Sequence, residues 1–74
     1  MEERIRQVLA SVFNVDISKI DENSSPDNID NWDSLHHMKL VLALEEEFDV
    51  QLEDEQISNL LNYKLILITL KELT

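Results

Sequence analysis

The chain has 74 residues and a formal net charge of −10, from 16 acidic and 6 basic side chains. A chain this short can bury only about 60% of its unfolded surface, which implies one small core and a single domain over residues 1–74, and its acidity excludes the basic footprint that nucleic-acid binding needs. There is no cysteine, which excludes disulfides and thiolate metal sites, and no glycine, which excludes P-loop and dinucleotide fingerprints and favours an all-α fold.

The first element is a helix over Glu2 to Phe13. Ile5, Val8, Leu9 and Val12 fall at i, i+3, i+4 and i+7, one face of a helix. Glu2 and Glu3 stand at its start, where they suit the helix dipole. The segment MEERIRQVLASVF has no apolar signal-peptide core. The apolar runs of the chain are far short of a membrane span, so no membrane insertion is expected and the default location is the cytoplasm.

Val15 to Trp32 is a long connection rich in Asp, Asn and Ser, the residues that build turns and caps. Val15, Ile17, Ile20, Ile29 and Trp32 punctuate it, which suggests a loop pinned across the helices, with a short helical turn around Ser18 to Asp21.

Asp33 or Ser34 caps the second helix, which runs from about Ser34 to Phe48. At about 100° per residue, Leu40, Val41, Leu44 and Phe48 share one side and His37 falls within that arc. Leu35, Met38 and Leu42 cluster elsewhere, on the side that carries Ser34. This second apolar cluster exceeds what one core stripe needs and is a candidate docking surface. Glu45, Glu46 and Glu47 close the helix, where acidic charge opposes the dipole. Such a broken local rule points to a partner-binding surface.

Val50 to Leu52 is an extended link. A short third helix is expected over Glu53 to Leu61, with Ile57, Leu60 and Leu61 apolar. Asn62 caps a last helix from about Tyr63 to Leu73. Its run Leu65-Ile66-Leu67-Ile68 is ambiguous by periodicity, and helix is chosen because no strand is available to pair with it.

Asp33, Ser34, His36 and His37 supply the residue types of a hydrolytic triad. A nucleophile elbow, however, needs glycines around its strained turn, and none exist. Asp33 and His37 are spaced as metal ligands on a helix can be, yet a third ligand is not evident. The Asp-rich loop also fails as a calcium loop, because no window supplies the required glycine.

Asp33-Ser34-Leu35 resembles the DSL attachment motif of acyl carrier proteins. The similarity continues through LVLALEEEFDV, Leu40 to Val50, and the order helix, long loop, DSL helix, short helix, last helix matches as well. The resemblance implies a small four-helix bundle with a long first loop and a short third helix. It implies a carrier, not an enzyme, with 4′-phosphopantetheine joined to Ser34 by a transferase that takes it from coenzyme A. Asp33 and Leu35 would complete the attachment motif. Leu35, Met38, Leu42, Glu45 and Glu46, with Lys39 among them, fall where family members meet partners. Those partners are the phosphopantetheinyl transferase and acyl-activating and acyl-transferring enzymes with basic docking patches. Leu40, Leu44, Phe48, Ile57 and Leu60, with His37, fall where the family's core can take up an acyl chain. Acidic charge near the serine would steer encounter with such patches.

The chain departs from the fatty-acid-synthesis pattern at Trp32, where a small residue is usual, and at His36 and Lys39, where acidic ones are. A partner shaped for an all-acidic helix would meet the wrong sign at Lys39. A polar imidazole at His37 would disfavour long apolar chains. The expectation is a carrier for a specialised pathway with a short or polar acyl group. The alternatives are a peptidyl, aryl or aminoacyl carrier, or an unmodified carrier-like interaction domain.

Overall fold

The computed structural model describes residues 2–74. Four helices form among them, with no strand: α1 (Glu2–Phe13), α2 (Ser34–Phe48), α3 (Asp54–Ser58) and α4 (Tyr63–Leu73). The fold is the expected small helical bundle with a long first connection and a short third helix.

Without glycine, the two long helices α1 and α2 end on other residues. Asn14 and Asp49 take the left-handed conformation, at φ 56° and 54°. Asparagine and aspartate reach this region more readily than other side chains. Each allows the next residue to turn back: Val15 N–H donates to the Ala10 carbonyl at 3.1 Å and Val50 N–H to the Glu45 carbonyl at 3.2 Å. This is the closure of a Schellman motif, and both valines pack against the core as its hydrophobic partner does.

The core gathers one stripe from each of α1, α2 and α4: Ile5, Leu9 and Phe13 from α1, Leu40, Val41 and Leu44 from α2, and Tyr63, Ile66 and Leu70 from α4. Val8 and Val12, expected on the buried face of α1, are only half-buried at its margin. Of the Leu65–Ile68 run only Ile66 is buried, and Ile68 is exposed. That run is therefore one amphipathic turn of helix.

The long connection is built from side chains bonding to nearby backbone. Asp21 accepts from Asn23 N–H at 2.8 Å, Ser24 Oγ from Asp21 N–H at 2.9 Å, and Asn28 from Ser25 N–H at 2.9 Å. Asn31 reaches back 2.8 Å to the Phe13 carbonyl at the end of α1. Ile20, Ile29 and Trp32 are buried anchors, as expected. Ile17 is not: it lies in a single 3-10 turn, Ile17–Lys19, and is 40% exposed. That turn begins one residue before the expected one.

The third helix is shorter than expected. Glu53 caps it, with Gln56 bonding back to Glu53 N–H at 2.9 Å. It stops at Ser58, because Asn59 caps its end and Asn62 must already cap α4, where it accepts from Leu65 N–H at 2.9 Å. Leu60 is buried from the turn between them, so its apolar spacing reflects burial of a turn and not continued helix.

Candidate functional site

Asp33 sets where α2 begins. Its backbone is extended and its carboxylate accepts from His36 N–H at 2.8 Å, which satisfies one of the donors a helix start leaves unpaired. The same oxygen lies 2.8 Å from His36 Nδ1. The His36 backbone N–H, and next its ring, hold the Asp33 carboxyl below its ordinary value of 3.8. Asp33 is therefore an N-cap paired with His36. It does not pair with His37 as a helical metal site would require, because cap geometry delivers the carboxylate to the residue three positions on.

Ser34 is the first residue of α2 and is exposed. It lines a cleft of about 490 Å³ between the start of α2, the long connection and the turn after α3. Pro26, Trp32, Met38, Leu60 and Leu61 give this cleft its apolar wall, and Asp33, Ser34 and His37 its polar edge. Pro26 and Leu61 were not legible as site residues, since nothing in their local pattern marks proximity to Ser34.

His37 is half-buried and fully committed. Its Nδ1 lies 3.1 Å from Trp32 Nε1, and its Nε2 lies 3.1 Å from the Ile57 carbonyl. An indole N–H can only donate, so Nδ1 accepts and Nε2 carries the hydrogen that meets Ile57. Trp32 is in turn stacked on Phe13, with centroids 4.9 Å apart. His36 turns its Nδ1 to Asp33, and His37 has both ring nitrogens engaged, by Trp32 and by Ile57. Among the described residues no three His, Asp or Glu side chains group as metal ligands.

The docking candidates divide. Leu35, Met38 and Leu42 are 64%, 50% and 62% exposed, and Leu61 beside the cleft is 60% exposed. Lys39 and Glu46 are exposed as well. Glu45 is placed differently: it is half-buried and its Oε2 accepts from Leu52 N–H at 2.8 Å. Glu47 is paired with Arg4 at 3.0 Å. Two of the three clustered glutamates thus hold the rear of α2 in place.

The pocket candidates are mostly core. Leu40, Leu44 and Leu60 are buried, while Phe48 and Ile57 pack half-buried against them. A second groove, about 460 Å³, lies between α1 and the rear of α2 along Arg4, Val8, Ala43 and Glu47. Ser34 does not line it.

An exposed serine at the head of a helix, over an apolar cleft on a small helical frame, suits a protein that bears a covalently attached arm. Residues 3–64 match the family model described as a phosphopantetheine attachment site. The acyl carrier protein of Buchnera aphidicola subsp. Schizaphis graminum (strain Sg) is 33% identical over 60 residues, which cover 81% of this chain and 76% of that protein. The chain belongs to the acyl carrier protein family, whose prosthetic group is a covalently attached phosphopantetheine. The residues around Ser34 fit that group, with an accessible hydroxyl and an apolar wall alongside.

Proposed function

We propose that residues 1–74 act as one carrier domain without catalytic activity of its own, that Ser34 bears the phosphopantetheine arm, and that the domain serves a specialised cytoplasmic pathway instead of housekeeping fatty acid synthesis. The observation that carries this reading is the placement of Ser34, exposed at the first position of α2 and facing the apolar cleft. A negatively charged phosphodiester there suits the unpaired N–H groups of a helix start. The arm supplies a terminal thiol on which an acyl group rides as a thioester, which a chain without cysteine cannot offer itself.

The chain's own residues present that site. Asp33 fixes the start of α2, and Leu35, Met38 and Leu42 offer exposed apolar contacts beside it. Surrounding acidity attracts basic patches on the transferase and on acyl-activating and acyl-transferring enzymes. Lys39, exposed on the same helix, supports discrimination against partners shaped for an acidic residue there.

Co-expression with a broad-specificity phosphopantetheinyl transferase, followed by intact mass measurement, tests the attachment. One prosthetic-group increment, lost in Ser34→Ala, is expected. The absence of an increment with several transferases would overturn the carrier reading. Rescue of a housekeeping carrier deletion by this chain would overturn the specialised role, and Lys39→Glu is expected to improve recognition by fatty-acid-synthesis enzymes.

A further inference from the structure

We infer that the hydrogen-bond chain Trp32–His37–Ile57 is a latch that keeps the interior between α2 and α3 closed to acyl cargo, with His37 as its specificity-determining residue. The inference rests on the carrier reading above and adds where the cargo goes: it stays in the open cleft beside Ser34.

Three separate elements meet at the latch. Trp32 ends the long connection, His37 lies in α2 and Ile57 in α3. The two hydrogen bonds are each 3.1 Å long and use both ring nitrogens of His37. Neither partner can exchange roles, since the indole is donor-only and the carbonyl acceptor-only. Trp32 cannot swing aside without also leaving its stack on Phe13. Separating α2 from α3 would take the acceptor from the half-buried His37 Nε2–H, while the Ile57 carbonyl keeps Leu60 N–H at 3.3 Å. An unmade hydrogen bond in such surroundings is costly.

Behind the latch the space is filled. Leu40, Leu44 and Ile66 are 0% exposed. A chain inserted there would have to break the latch and displace this packing together. The cleft asks for neither. It begins at Ser34 and already offers Trp32, Met38, Leu60 and Leu61 as an apolar wall. Cargo lying there remains partly in water, which favours short or polar acyl groups over long apolar ones.

The test uses stable amide analogues of the loaded arm, one acetyl and one octanoyl, placed on Ser34 by a transferase and verified by intact mass. Backbone amide shifts are then compared between the two loaded forms. In the unaltered protein the octanoyl-dependent shifts are expected at Met38 and Leu61 and absent at Leu44 and Ile66. Trp32→Phe keeps an aromatic ring over Phe13 but removes the N–H donor, and His37→Phe keeps a ring but removes both hydrogen bonds. In each variant the octanoyl-dependent shifts are expected to extend to Leu44 and Ile66. If His37→Phe does not fold, His37→Leu, which also removes both hydrogen bonds, decides. Octanoyl shifts at Leu44 and Ile66 in the unaltered protein would overturn the latch, as would a folded His37 variant that still shows none. A chain that takes up the arm and fails in this way leaves the carrier reading standing; one that never gains the mass increment overturns both.

Discussion

The two ends of α2 carry similar amounts of apolar and polar side chain and use them in opposite ways. At the rear, two of the three glutamates have partners inside the chain. Glu45 holds the Leu52 backbone, Glu47 holds Arg4, and the Arg4 guanidinium lies 4.6 Å from the centre of the Phe48 ring. Asp49 then turns the chain back under the helix. At the front, Ser34 and the apolar side chains of Leu35 and Met38 are exposed. The cap at Asp33 fixes the start of the helix, and the latch at His37 and the His36 ring, 6.4 Å from that of Phe13, join this end to the rest of the fold. A domain this small cannot leave much of itself unpartnered and stay folded. Firm anchoring at the rear is what allows the front to be exposed.

The largest separation between the two ends is expected from leucine truncation. Leu44→Ala removes a fully buried side chain, and loss of about 2–5 kcal/mol of stability is expected. Leu35→Ala, at an exposed position, should stay within about 0.5 kcal/mol. Its effect should appear in the rate at which a transferase or loading enzyme uses the domain. Urea titration of both variants checks the first pair of values. Equal destabilisation would mean that the front of α2 is part of the core after all.

The glutamates give a smaller contrast on the same logic. Glu45→Ala leaves the N–H of buried Leu52 without its acceptor, which costs about 1–3 kcal/mol. Glu45→Gln keeps an oxygen at that position and should recover most of the loss. Glu46→Ala should leave stability within about 0.5 kcal/mol, as an exposed change away from such contacts does. The Arg4–Glu47 pair lies between these cases. Both side chains are about half exposed, so Arg4→Ala should cost no more than about 1 kcal/mol. Thermal melts of the four variants at one salt concentration rank them. A Glu46→Ala loss as large as that of Glu45→Ala would remove the distinction between anchoring and presented acid.

Much of this arrangement is legible in the sequence, and the parts that are not share a cause. The bounds of α1, α2 and α4 follow from local signals: turn-forming Asn14, the caps at Asp33 and Asn62, and helical spacing of apolar residues. The contacts of the acidic cluster are not legible because its partners are remote. Glu45 meets a residue 7 positions on, and Glu47 one 43 positions back, and no local pattern reports either contact. Leu60 misleads because burial in a turn has the same apolar signature as burial in a helix. Trp32 is visible as a departure from the family pattern, and His37 as a polar ring on the core side of α2. That they answer each other follows only when the fold brings the indole N–H to the imidazole.

The smallest effect lies at the front end and concerns acid. Asp33 and Asn62 cap α2 and α4 by the same contact, a side-chain oxygen on the N–H three residues on, and only Asp33 can titrate. Its folded pKa is held below 3.8, first by the His36 backbone N–H and then by the His36 ring. The unfolded chain therefore binds a proton there at a higher pH than the folded one does. The stabilisation is fully present above 3.8 and is lost as pH falls through the lower, folded value. Asp33→Asn keeps a cap and removes the charge, so its stability should carry no contribution from this titration. Melting temperatures of the two proteins, measured from neutrality into the acid range, should differ by a constant amount above that window. Below it, the gap should shift in favour of the variant. Parallel curves throughout would mean that the cap draws nothing from its charge and that the start of α2 is held by backbone and packing alone.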